Sequence, residues 1–355
     1  MKTNLFTRGI SLLLLFTLGA CQLGKNPSTP TASIPPTKIK TPTVAVTVAA
    51  ATSTSASTAT STPGTPAGQI AYAHIEALSE RIGARVAGSA AEAQAAQYIV
   101  MEFERLGYVS ELRPFKVTVK GKNVSSANVI AVKPGASSQE IIVGAHYDSV
   151  KTGKGADDNA SGVAVILEVA ERLRDKETPY TIRFILFGAE ESGLLGSKYY
   201  VGQMNQDEIK NTVAMINLDS VTAGDLAYIY GDQEKKGVIR DWALNFAQEN
   251  DLVLQTQSGE NPQLPAGTTG DWSDHAPFKE AGIQYAYFES TNWTLGDKDG
   301  YTQVDPKYGE DGEIWHTEYD TLEYINANFP GRIQERLNLF VTVLEAILTT
   351  FEVEQ

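Results

Sequence analysis

The chain has 355 residues and a formal charge of −14, with 43 acidic against 29 basic residues and a single cysteine. Without a basic stretch or interleaved aromatic and basic residues, nucleic acid is not expected as a partner. A lone cysteine excludes an internal disulfide framework.

Lys2 and Arg8 flank the start of an apolar run that ends at Cys21. This pattern describes a secretory signal peptide over residues 1–20, too short to be a stable membrane span. The tetrad Leu18-Gly19-Ala20-Cys21 resembles the bacterial lipoprotein signal, which implies that Cys21 becomes a lipidated N-terminus. Two or more acyl chains suffice for stable anchoring. Residues 21–67 are rich in Thr, Ser, Ala and Pro and hold no aromatic residue. Such a segment cannot bury enough apolar surface to offset its ordering entropy and is expected to be a disordered tether. A flexible chain of roughly 45 residues spans roughly 40 Å on average. Residues 68–355 are expected to form one domain.

Within that domain, helical periodicity is expected at 69–81 and at 90–106, where Gly107 stops it. Extended segments follow at 108–119 and 123–132. The run EIIVGA, 140–145, reads as a buried strand and leads through a loop into a helix at 161–174. A second buried strand at 181–188 precedes a helix near 196–202, and further strands are expected at 211–220, 225–230 and 283–290. Helices are expected at 234–249 and 330–351. Near-continuous apolar strands alternating with helices indicate an α/β three-layer sandwich with a mainly parallel, mixed central sheet. Ligands in such sheets gather at the carboxyl ends of the strands.

Polar residues do collect there. The first buried strand ends in His146-Tyr147-Asp148, the second leads through Gly188-Ala189 to Glu190-Glu191, and the third ends at Asp219. The loop before the helix at 161–174 adds Asp157 and Asp158, and a late loop adds His316. Carboxylates crowded at one sheet end repel unless something cationic sits among them. A pair of divalent metals meets that need, and imidazole with carboxylate suits zinc. Metals of a dinuclear site lie about 3.5–4 Å apart, a gap one carboxylate can bridge. His146 and Asp148 are two apart on an extended chain and face the same way, so Asp148 can accept from the second imidazole nitrogen. Glu190 and Glu191 are adjacent and point apart; one can bind metal while the other faces the activated water as general base.

The motifs GAHYDSV, GADDNASG, FGAEESGLLGS, INLD, SDHAPF and WHTEYDT, in that order, resemble the two-zinc aminopeptidases of metallopeptidase family 28, with bacterial leucyl aminopeptidases among them. RVAGSAAEAQAAQYI resembles the N-terminal signature of that family, and the motifs cover most of 80–325. The resemblance implies a zinc-exopeptidase fold with two Zn2+ per chain. It places Asp158 between the metals, His146 and Asp219 on one, Glu191 and His316 on the other, with Glu190 as general base. The implied reaction is hydrolysis of the N-terminal peptide bond of peptides with a free N-terminus. Metals polarise the scissile carbonyl and acidify a water, and Glu190 passes its proton to the leaving amine.

Two features depart from the pattern. Trp315 precedes the last ligand where some relatives carry a tyrosine that donates to the oxyanion, and no room exists between Asn128 and His146 for a protease-associated insert. The same resemblance includes glutaminyl cyclases, which use one zinc and lack the first of the paired aspartates; Asp157-Asp158 favours the peptidase. A non-catalytic surface binding protein is the third alternative, and an intact Glu190 with all five ligands argues against it. A lipidated Cys21 would hold the enzyme to a membrane at the bacterial cell surface or on its periplasmic side.

Other residues receive plainer expectations. Asp157 is expected behind the ligands or toward solvent, with Asn159 and Ser161 capping the following helix. His74 is expected at the surface, His275 in a structural or pocket-shaping place, and Asp320 against His316. The long loop 292–314 is expected to act as a lid or substrate-facing wall; its DKDG lacks the rest of a calcium loop. Trp272, Tyr285, Tyr287, Phe288, Trp293 and Trp315 are candidates to line an apolar pocket.

Overall fold

The computed structural model describes residues 65–119, 121–233 and 237–353. The expected signal peptide, Cys21 and nearly all of the expected tether lie outside the described residues.

Seven strands carry the fold: β1 (Val109–Val119), β2 (Lys122–Lys133), β3 (Ser137–His146), β4 (Tyr180–Phe187), β5 (Thr212–Leu218), β6 (Leu226–Gly231) and β7 (Tyr285–Thr291). They form one sheet in the order β1-β2-β4-β3-β5-β7-β6. The inner strands β4, β3, β5 and β7 are parallel neighbours. The margins are antiparallel, where β1 pairs β2, β2 pairs β4, and β6 pairs β7. The mixed, mainly parallel core follows from apolar runs buried on both faces. In β3, Ile141, Val143 and Ala145 join the larger hydrophobic cluster, while Ile142 joins a second cluster on the opposite face.

The larger cluster draws on α1 (Gln69–Ile75), α2 (Ala90–Arg105), α3 (Gly162–Leu173), α6 (Val238–Glu249) and α9 (Arg332–Thr350). The smaller one draws Tyr200 from α4 (Leu195–Gln203) and Phe278 from α7 (His275–Glu280). Helices on both faces make the three-layer sandwich. α3 is the central helix: Val163, Val165, Ile166, Leu167 and Val169 are all fully buried, the mark of a helix enclosed rather than half-solvated.

Three short helices escape the sequence patterns: α5 (Gln206–Asn211), α7 and α8 (Leu322–Asn328). Each is too brief to show periodicity, and tertiary packing supports them. The expected helix at 69–81 is α1 continued by a wider-wound turn, Glu76–Ile82. His74 in α1 corrects the expectation of a surface residue. It is buried, with Nδ1 2.6 Å from the Tyr98 hydroxyl, and burial lowers its pKa to about 4.

Candidate active site

The sequence delivers the polar side chains to one rim of the sheet. His146 is the last residue of β3, Glu190 and Glu191 form the turn after β4, and Asp219 follows β5. At three of these places the chain adopts left-handed backbone without glycine: Ala189 just before Glu190, Ser220 just after Asp219, and His316 itself (φ 57°, 51° and 59°). Such conformations cost about 1–3 kcal/mol each and persist where the surroundings over-determine them.

The central feature is the carboxylate of Asp158. Its Oδ1 lies 3.1 Å from His146 Nε2, and its Oδ2 lies 3.0 Å from His316 Nε2. Around the first imidazole stands Asp219, at 3.3 Å; around the second stands Glu191, at 3.0 Å. Glu190 approaches His146 at 4.0 Å. Two sets of ligand atoms are close enough together to hold an ion: His146, Glu190 and Asp219, and His146, Asp158 and Glu191. Glu190 stands 4.0 Å from His146 and Glu191 3.0 Å from His316, set there by a tight helical turn rather than the expected extended geometry.

Electrostatics point the same way. Burial would raise the Asp158 carboxyl, yet His146 and His316 outweigh it and hold it well below the carboxylate range. Asp158 and Glu191 push His316 up to about 11. His146 is also raised, because Asp219, Glu190, Asp148 and Asp158 overcome its desolvation. Burial pushes Glu191 up to about 7, and burial with Asp274, Asp219 and Glu191 nearby holds Glu190 well above its ordinary value. Positive charge is favoured beside each imidazole. Protons are one way to supply it and divalent ions are another; the oxygen and imidazole donors present suit zinc.

Behind these groups lies a supporting layer. The Asp148 carboxylate accepts from the amides of Glu190 (2.9 Å) and Glu191 (3.2 Å). His146 Nδ1 sits 3.2 Å from the Asp148 carbonyl and 3.6 Å from its Oδ1. Asp148 therefore ties the ring of one strand end to the glutamate turn of the next. Arg85, buried, was not singled out from the sequence although it opens the N-terminal signature. Its guanidinium donates to the carbonyls of Tyr147, Lys154 and Gly155, joining the His146 strand to the Asp158 loop. Gly155 has φ +59°, and a Cβ there would stand 2.7 Å from Arg85 Nη2, so glycine is required.

Two expectations about the loop need correction, and for Asp157 the structure decides between the two alternatives in favour of a place behind the ligands. Asp157 does not face solvent: it is fully buried, and its Oδ1 accepts from the Thr222 amide (2.7 Å), the Thr222 hydroxyl and the Ala223 amide. Its Oδ2 accepts from Gln303 Nε2 at 2.7 Å, which pins the loop to the late segment bearing His316. Asp320 makes no hydrogen bond to His316 among the described residues; it accepts instead from the amides of Asp157 (2.6 Å) and Asp158 (3.1 Å). Asn159 does serve the helix, accepting from the Gly162 amide at 2.9 Å, but Ser161 donates to the Asp157 carbonyl and accepts from Val221.

These groups open onto a cavity of about 420 Å³, also lined by Trp272, Tyr287, Glu289, Tyr301 and Trp315. The long loop therefore supplies a wall, through Gly300 and Tyr301. Tyr285 and Trp293 belong to an aromatic cluster beneath it, and Phe288 to the larger core. His275 is structural: buried, it stacks on Tyr285 and Tyr287 at 4.7 and 5.0 Å, and burial lowers its pKa to about 3.

The model of peptidase family M28 matches residues 128–341, which include His146, Asp148, Asp158, Glu190, Glu191, Asp219 and His316. The chain belongs to peptidase family M28. Membership makes it a zinc-dependent metallopeptidase, a hydrolase. The chain is 36% identical over 282 residues to the alkaline phosphatase isozyme conversion protein of Escherichia coli, covering 71% of this chain and 81% of that protein. It is 36% identical over 231 residues to aminopeptidase YwaD of Bacillus subtilis, 63% of this chain and 46% of that one. It is 29% identical over 245 residues to a probable lipoprotein aminopeptidase, LpqL, of Mycobacterium tuberculosis, covering 61% and 45%. The chain thus spans under half the length of those last two relatives. Two solved structures share the fold. The first is BSAP, a zinc aminopeptidase from Bacillus subtilis, with TM-score 0.64, 21% identity, 82% of this chain and 97% of that. The second is a glutaminyl cyclase from Porphyromonas gingivalis, with TM-score 0.58, 21% identity, 79% and 98%.

Proposed function

We propose that this M28 member is a two-zinc aminopeptidase that removes N-terminal residues from peptides. The observation that carries the reading is the Asp158 carboxylate, which turns one oxygen to His146 and the other to His316. His146 and Asp219 would hold one zinc, Glu191 and His316 the other, and Asp158 would serve both. Bound there, zinc supplies Lewis acidity toward a carbonyl and makes a nearby water more acidic. The chain supplies the proton traffic. Glu190 is buried at the cavity wall, and burial raises its affinity for a proton; ionised beside bound cations, it would accept a proton from water and return it to the leaving amine. Asp148 holds the turn that carries Glu190 and Glu191 through their amides.

Three ligand carboxylates and Glu190 offset the four positive charges of two divalent ions, which supports two metals over one. With one zinc and cyclisation of an N-terminal glutamine instead, the protein would be a glutaminyl cyclase of the same fold. The deciding assay offers the zinc-loaded full chain aminoacyl-nitroanilides, dipeptides and a Gln-initiated peptide. Release of N-terminal residues is expected; a chain with two zincs that left every peptide intact would sink the reading. We further propose a signal peptide over 1–20, a tether over 21–67, one enzyme domain over 68–355, and anchoring outside the cytoplasmic membrane by lipid on Cys21. Similarity to LpqL, a probable lipoprotein aminopeptidase, supports the anchoring. No described helix is long and apolar enough to cross a membrane. Metabolic palmitate labelling that vanishes with Cys21→Ser is the expected result; labelling that persists would contradict it.

A further inference from the structure

Four successive amides carry the chain out of β4 and through the turn that bears Glu190, and a side chain accepts from each. Asn128 Oδ1 takes the Gly188 amide at 3.3 Å and Glu92 Oε1 the Ala189 amide at 3.1 Å. Asp148 takes the amides of Glu190 and Glu191. Glu92 is the member of this set to which the proposed reaction gives no part.

Glu92 is buried in the first turn of α2. A glutamate there ordinarily completes a helix cap, and one oxygen does so. Its Oε2 accepts from the Gly88 amide at 2.6 Å, while Ser89 Oγ accepts from the Glu92 amide at 3.1 Å. Capping needs no more than that. The other oxygen leaves the helix, accepting from Ser126 Oγ of β2 at 2.5 Å and from Ala189, 97 positions away.

Ala189 is where the turn is hardest to hold. It is fully buried and left-handed at φ 57°, a conformation that a non-glycine residue keeps only where its surroundings impose it. The neighbouring space is tight: a Cβ at Gly188 would stand 2.2 Å from Ser126 Oγ and 2.6 Å from the Ala127 carbonyl oxygen. Asn128 Nδ2 secures the far side of the turn by donating to the Gly196 carbonyl at 2.9 Å. Without Glu92 the Ala189 amide would lose its acceptor inside the protein, a costly state that favours another backbone conformation. Glu190, the next residue, would move with it.

We infer that Glu92 is a positioning residue for the hydrolysis. It lies outside the cavity lining and acts through the Ala189 amide, holding the turn from which the proposed base projects. It also precedes residues 128–341, so an N-terminal helix outside the family match supports the catalytic turn. The role in hydrolysis rests on the aminopeptidase reading.

The test uses the zinc-loaded full chain as wild type, Glu92→Ala, Glu92→Gln and Ser89→Ala. Ser89→Ala weakens the cap of the same helix without touching Ala189. The readouts are kcat and KM on an aminoacyl-nitroanilide, the melting temperature, and hydrogen exchange of the Ala189 amide by NMR, which needs no turnover. Glu92→Ala should lower kcat by about 10- to 100-fold, as outer partners of a site typically do, with KM and zinc content unchanged. Its Ala189 amide should exchange about tenfold faster or more, the worth of one buried hydrogen bond. Glu92→Gln, which keeps an oxygen for Ala189, should recover most of kcat. Ser89→Ala should lower the melting temperature and leave kcat and Ala189 exchange as they were. Equal kcat losses in Ser89→Ala and Glu92→Ala would overturn the inference, because helix stability alone would explain them. So would wild-type kcat in Glu92→Ala, or an Ala189 amide that exchanges freely in the wild type, a result that needs no variant to fold. If the wild type cleaved no peptide while Ala189 exchange quickened in Glu92→Ala alone, the aminopeptidase reading would fall and the hold on the turn would stand.

Discussion

The two halves of the candidate metal cradle are built differently. His146 and Asp219 sit at the ends of β3 and β5, and both are buried, His146 to 1%. His316 hangs from the late loop with its side chain 56% exposed, held in place through the backbone by Gln303, which bonds Asp157 and the amides of Ile314 and Trp315. One half is part of the core; the other depends on a loop closing over it. The difference teaches that the first site is formed by folding itself, whereas the second is completed by long-range hydrogen bonds. The halves should therefore differ in metal affinity, the buried one binding tighter.

The largest perturbation removes the proposed general base. Glu190→Gln should lower kcat by on the order of 100- to 10,000-fold, the usual worth of a general base, while zinc content by elemental analysis stays at the wild-type level. Activity that survives would remove Glu190 from the reaction. Next comes the direct contrast of ligands. His146→Ala should empty the buried half and leave a chain that binds zinc weakly, whereas His316→Ala should retain one tightly bound zinc. Equal losses in the two variants would erase the distinction between the halves. Asp320→Asn works at one remove, loosening the amides of Asp157 and Asp158, and should weaken zinc binding by about 10- to 100-fold as outer partners of ligands typically do. A competition titration with a chelator reads that shift.

Acid is the most graded perturbation, and the four histidines answer it in opposite ways. His316 keeps its proton up to about pH 11 in the metal-free chain, facing Asp158 and Glu191, so zinc must displace that proton and binds more weakly as pH falls. His74 is neutral in the fold, with a pKa of about 4 against the ordinary imidazole value of 6.5. Between those values the unfolded chain binds more protons at this residue than the folded one, so the contribution of His74 to stability falls as pH drops from about 6.5 to 4. As pH drops across that range, the Tm of zinc-free His74→Phe should rise relative to the wild type; the paired comparison isolates His74 from carboxyls such as Glu191 and Asp274, whose raised values act in the opposite sense.

The strands were legible because EIIVGA, TIRFILFG and NTVAMINL are long apolar runs, and the ligand positions because the motifs resembling family 28 lie at their ends. What stayed hidden depends on contacts between distant residues. Asp320 reaches the Asp157 amide across 163 positions, and Gln303 reaches its carboxylate across 146; no local spacing predicts either. His74 looked exposed because a single helical turn does not reveal Tyr98 packing on it. Glu289 was not singled out within the strand expected at 283–290, and only the pairing of β6 with β7 brings Tyr230 to it. Tyr301, Arg85 and Asp274 were missed for the same reason. Asp274 is buried, pushed up to about 7, and near enough to raise Glu190.

Anomalous diffraction at the zinc edge from crystals of the zinc-loaded protein tests the central claim most directly. The account predicts two zinc peaks about 3.5–4 Å apart, with one oxygen of Asp158 on each. A single peak on His146 and Asp219, with His316 turned away and Asp158 ligating through one oxygen, would contradict it.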